Sequence, residues 1–82
     1  MSSQPSPSHG SYRIYSAASL GDGIAHYRKQ AGLTQAQLAE AVGIQRSYLS
    51  ELEHGKETEQ LTRILRILRQ LGVRMTLAEA DW

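Results

Sequence analysis

Residues 33–55, LTQAQLAEAVGIQRSYLSELEHG, decide the fold. They read as helix, tight turn, helix. Thr34 is a good N-cap, and Gln37 three residues on completes a capping box in which each side chain satisfies the other residue's backbone N–H. Ala36, Leu38, Ala39 and Val42 place small or apolar groups on the inner side of a short helix. Gly43 ends it, because the residue that closes a helix commonly takes a left-handed backbone. Ile44 is expected to plug the core beneath the turn. A second helix over 46–54 buries Leu49 and Leu52, while its other side shows Gln45, Arg46, Ser47, Ser50 and Glu51. Side chains of these kinds hydrogen-bond to base edges.

Toward the N-terminus, Leu20, Ile24, Tyr27 and Ala31 recur at helical spacing behind a Ser16 cap, predicting a first helix that Gly32 closes. Gly21 and Gly23 lie inside it, each at a cost of roughly 1 kcal/mol against Ala. Residues 11–15, SYRIY, suit a short extended segment with Tyr12 and Ile14 on one side and Arg13 and Tyr15 on the other. Residues 1–10, MSSQPSPSHG, are rich in Ser and Pro and are expected to form a disordered tail.

Toward the C-terminus, Thr58 can cap a fourth helix over 59–71, with Glu57 and Glu59 near its positive end. Leu61, Ile64, Leu65, Ile67, Leu68 and Leu71 form an apolar band wider than a one-sided surface helix needs. Part of it can close the core, and the remainder, including Ile67 and Leu71, is left for a second chain. Arg63, Arg66 and Arg69 line the other face, either simply solvated or meeting an acidic partner or phosphates.

After Gly72, residues 73–77, VRMTL, alternate as a strand does. A lone strand needs a partner for its backbone groups. Either 12–15 of the same chain supplies it, or the same strand of a second copy does across a two-fold axis. The second pairing is favoured, because it would join the wide fourth helix in one self-complementary interface of Ile67, Leu71, Val73, Met75 and Leu77. The tail 78–82 ends in Trp82, either an anchor for a partner's pocket or packed on its own chain.

The run L-T-Q-x-x-L-A-x-x-V-G-I followed by S-x-L-S-x-L-E-x-G-K resembles the helix-turn-helix of the phage-repressor (Cro/C1, XRE) family. The resemblance implies an all-α domain of four helices over 11–72, lambda-repressor-like, with the helix-turn-helix at 34–54, plus one C-terminal β-strand pairing in a dimer. It also implies an ion pair between Arg28 on the first helix and Glu53 at the end of the third, a surface glutamate being the other reading of Glu53. The leucine-rich fourth helix and L-G-V-R-M-T-L narrow the similarity to the HipB-like antitoxins of bacterial toxin-antitoxin systems. That implies a homodimer on palindromic operator DNA and a HipA-type kinase toxin as protein partner.

Composition sets limits. The 82 residues make one small domain, without cysteine for disulfides or thiolate metal sites, which suits a reducing cytoplasm. No apolar run approaches a membrane span, and the N-terminus lacks the basic and apolar regions of a signal peptide. His9, His26 and His54 show no metal-ligand spacing, and Glu51 and Glu53, two apart on a helix, make no acid/base pair. Neither catalysis nor a cofactor is expected. The net charge of +1 gives no broad attraction to nucleic acid, so binding must rest on local charge.

The expected mechanism has three parts. Gln35, Lys56 and backbone amides at the second helix's start and near 54–56 grip phosphates. Arg46 and Gln45 enter the major groove beside Ser47, suited to guanine and adenine, with Ser50 and Glu51 one turn later adding base or phosphate contacts. A dimer sets two such helices about 34 Å apart. Where the family has Ser or Thr to cap the third helix, this chain has Gln45, a poor cap whose side chain is left freer to read a base. Solvated surface positions are the plain alternative for Arg46, Ser47 and Lys56, and Tyr48 is expected to pack partly under its helix. Two other functions stay open: a stand-alone phage-type repressor, and a protein-interaction module with little DNA affinity, motivated by the weak charge and Glu51.

Overall fold

Helices in this chain begin where a side chain can replace a missing backbone partner. The computed structural model describes residues 11–80, so the tail expected at 1–10 and Trp82 lie outside the described residues. The order is β1 (Ser11–Ile14), α1 (Ala17–Gln30), α2 (Gln35–Val42), α3 (Arg46–Glu53), α4 (Glu59–Leu71) and β2 (Met75–Ala78). Ser16 and Ser19 form a reciprocal box at the start of α1, at 3.1 and 3.0 Å. Thr34 and Gln37 do the same for α2, at 2.8 and 3.1 Å. Thr58 accepts from the Leu61 N–H to open α4. Only α3 starts without such a bond, at Gln45.

The turn after α2 is closed by Gly43 at φ 77°, which lets the Ile44 N–H reach back to the Ala39 carbonyl at 3.0 Å. This left-handed closure aims α3 across α2. The same closure after α4, with the Val73 N–H on the Leu68 carbonyl at 3.0 Å, holds Val73 to the helix end. The strand therefore starts later than its alternation suggested, at Met75.

Gly21 and Gly23, read as weak points of α1, are where other elements come closest to it. A Cβ on Gly21 would collide with the Leu52 carbonyl oxygen and sit 2.8 Å from that of Glu53, so the end of α3 lies directly on the α1 backbone. A Cβ on Gly23 would lie 2.7 Å from Leu77 Cδ1. What these glycines cost in helix propensity is offset by close packing on two sides. The buried apolar residues around this contact are Ile14, Ala17, Ala39 and Leu49.

The strand pairing follows the within-chain alternative, with residues 12–15. β2 pairs antiparallel with β1 of its own chain, in the register Ser11↔Ala78, Tyr12↔Leu77, Arg13↔Thr76, Ile14↔Met75. Tyr12 and Ile14 thus share a face with Leu77 and Met75, and that face covers α1. Tyr12 packs against His26, tilted, and Tyr27, edge to face, at ring-centre distances of 4.9 and 5.9 Å. Pairing within the chain lays the apolar faces of both strands over α1. Met75 and Leu77, expected at a dimer interface, are half-buried in their own chain.

On α4, Leu61, Leu65 and Leu68 are half-buried and no residue is fully buried. Ile64, Ile67 and Leu71 stay exposed, with Val73 just beyond. Ile64, which the sequence reading did not name for the interface, thereby joins Ile67, Leu71 and Val73 as exposed. Ala36 and Val42, expected inside α2, are exposed, as is Tyr48. Ala39 and the half-buried Leu38 carry the inner face of α2.

Candidate nucleic-acid interface

The exposed end of α3 is built by what Gln45 fails to do. Its backbone is extended, at φ −79° and ψ 143°, and its side chain makes no cap hydrogen bond. Gln45, Arg46 and Ser47 are consequently side by side, exposed, at the N-terminal end of the helix. Arg46 forms no ion pair among the described residues. Its five donors stay free for a planar acceptor pair. Uncapped amides of the first turn add partial positive charge at the same place.

Further along α3 the groups are more engaged. Ser50 is half-buried, and its carbonyl accepts from His54 Nδ1 at 2.7 Å in the tautomer protonated there. Glu51 meets Lys56 at 3.2 Å, with both side chains more than half exposed. A pair this open contributes little stability and gives way easily.

Behind this surface lies a clasp of charged and polar groups. Arg28 Nε donates to Glu53 Oε2 at 2.6 Å and Nη2 to Oε1 at 2.9 Å, while Nη1 donates to the Leu33 carbonyl at 2.8 Å. Only 10% and 5% of the two side chains are accessible. Donation from Arg28 holds the Glu53 carboxyl below the usual carboxylate range, with the Gln35 amide adding to the effect against the opposing pull of burial. The hydrogen bond to Glu53 raises the Arg28 guanidinium in turn.

Gln35, read in the sequence as a phosphate contact, also reaches into the protein. It is half-buried, and its Nε2 donates to Glu53 Oε1 at 2.9 Å. One of its two amide hydrogens is therefore committed inside the protein. No short-range pattern signals this contact, because Gln35 and Glu53 are 18 positions apart. No group of acidic or histidine side chains suited to a metal ion occurs among the described residues. No helix among them is long and apolar enough to cross a membrane.

Comparison with known proteins places this geometry. Residues 24–77 match the family model described as Helix-turn-helix. Antitoxin HipB of Escherichia coli O6:H1 is 35% identical over 68 residues, which span 83% of this chain and 72% of that protein. Antitoxin HipB of Escherichia coli K12 is likewise 35% identical over 68 residues, 77% of its length. Among solved structures, a HipB variant in an O2 20mer complex superposes with a TM-score of 0.53 at 37% identity, covering 83% of this chain and 94% of that one.

Proposed function

This chain belongs to the helix-turn-helix family, with the HipB antitoxins among its relatives, and from that premise we propose that it is a sequence-specific, dimeric DNA-binding repressor acting as an antitoxin. The observation that carries the reading is the N-terminal end of α3, where Gln45, Arg46 and Ser47 are exposed together beside uncapped amides. In this reading α3 enters the major groove, with Arg46 bidentate on guanine and Gln45 on adenine. Backbone amides at the start of α2 and the Lys56 ammonium meet phosphates on either side; the amides of residues 54–56, expected to join them, are already bonded to the carbonyls of Ser50, Leu52 and Glu51. Ser50 and Glu51 face the next bases or the backbone, Glu51 once it leaves Lys56.

A second copy supplies the symmetry of the operator. The exposed apolar side chains Ile64, Ile67, Leu71 and Val73 are its contact surface in this proposal. An apolar face of this breadth on a small domain is unusual unless it meets another protein. The likeness to HipB also supports a protein toxin of the HipA kinase type as partner, with the complex repressing its own operon.

The test is a titration on the DNA upstream of the protein's own gene, at two salt concentrations against scrambled competitor. Tight, salt-sensitive binding is expected, and Arg46→Ala should weaken it by about 1–3 kcal/mol. Binding no better than to scrambled DNA would instead leave a protein-interaction module, the role that the low net charge favours.

A further inference from the structure

We propose that Gln35 is a positioning residue for α3, acting through Glu53 and not through the DNA backbone; the inference rests on the DNA-binding reading above. The helix pair α2–α3 is joined covalently at one end only, by the turn at Gly43. Its open end consists of the start of α2 and the last residue of α3, and there Gln35 Nε2 donates to Glu53 Oε1 at 2.9 Å. A rotation of α3 about its turn would open that end first and break this bond. The pair is thus tied at both ends, by chain at one and by hydrogen bond at the other.

Glu53 is a suitable anchor because it is itself fixed. Arg28 engages both of its oxygens and also holds the Leu33 carbonyl, so α1, the segment leading into α2, α2 itself and α3 converge on one nearly buried carboxylate. Oε1 accepts from Arg28 and from Gln35 at once. A neutral amide suits the second bond, since it satisfies a remaining lone pair without adding a charge to a pair already balanced. The opposite end of α3, with Gln45 and Arg46, moves with any tilt allowed here. Loss of the Gln35 bond therefore blurs base discrimination more than it weakens general attraction to DNA.

The two roles open to Gln35 leave different marks. A phosphate contact from a neutral amide holds specific and scrambled duplexes alike and, neutralising no charge, leaves the salt slope unchanged. A positioning residue alters the ratio of specific to non-specific affinity. The experiment uses the full chain and the best duplex that the wild type enriches from a random-sequence library, with a scrambled duplex of equal length as reference. For Gln35→Met, of similar length and without hydrogen bonds, the specificity ratio should fall roughly tenfold with an unchanged salt slope. In a Glu53→Gln background, the same change should have much less effect on the ratio, because the anchor is already altered.

Equal weakening on the specific and the scrambled duplex, with the ratio intact, would overturn the proposal and return Gln35 to the DNA backbone. So would affinities unchanged on both duplexes, or a fall in the ratio just as large in the Glu53→Gln background. Failure of the wild type to enrich any duplex is a separate result: it ends the DNA-binding reading, and this inference with it.

Discussion

Arg28 and Glu53, 25 positions apart, meet fork to fork, with guanidinium nitrogens on both carboxylate oxygens at 2.6 and 2.9 Å. The contact fastens the first helix of the domain to the end of the helix that carries the candidate base-reading groups.

Its pH dependence follows from the depressed Glu53 titration. In the folded chain Glu53 releases its proton at lower pH than in the unfolded chain, so the unfolded state binds more protons in between and stability rises with pH there. The contribution is complete above the ordinary glutamate value of about 4.3 and disappears as pH falls through the lower folded value. Urea midpoints between pH 7 and pH 3 should therefore decline more steeply for wild type than for Glu53→Gln, which starts lower at neutral pH. Parallel curves would show that the pair has no such linkage.

Gly21→Ala inverts a familiar rule. In a free helix the change stabilises by up to about 1 kcal/mol, but here the new methyl meets backbone carbonyls that cannot rotate away. A net loss of about 2 kcal/mol is expected from the forced displacement of α3, read as a lower urea midpoint. An unchanged or raised midpoint would mean that the helices separate freely.

His26 presents the opposite case. Its Nε2 is buried without a hydrogen-bond partner among the described residues, while its ring lies 4.9 Å from those of Tyr12 and Tyr27. His26→Phe keeps an aromatic ring and removes the unsatisfied nitrogen. Thermal denaturation at neutral pH should show a gain of about 1 kcal/mol. A loss would indicate that the nitrogen is satisfied by water.

Ile67→Glu places a charge in the exposed apolar face of α4. Sedimentation velocity should report a dimer for wild type and a monomer for the variant, with helical circular dichroism retained because Ile67 is 57% exposed in the single chain. A variant that stays dimeric would move the interface elsewhere.

What could be read from the sequence was the part encoded over short distances. The Thr34–Gln37 box, the Gly43 closure and the buried Leu49 depend on neighbours within one turn or one helix, and a spacing of three or four residues reveals them. Gln45 was also legible as a poor cap, and its side chain makes no cap bond. Strand pairing was not legible. Val73 to Leu77 alternates in a way that suits any partner, and only the packing of Tyr12 and Ile14 on α1 selects β1. Gly21 and Gly23 looked unfavourable because helix propensity says nothing of what lies opposite. Gln35 was read as a phosphate contact, and its bond to Glu53 was not legible for the same reason, the partner being remote in sequence.

The antiparallel register of the two strands has an architectural consequence. With Ser11 opposite Ala78, the polypeptide enters and leaves the fold at adjacent points. Segments joined directly at Ser11 and at Ala78 would leave from the same corner of the described fold. A short bridge between those two points would allow the gene to be reopened in the exposed connection at Lys56 and Glu57, giving a circular permutant in which α4 leads and the helix-turn-helix comes last.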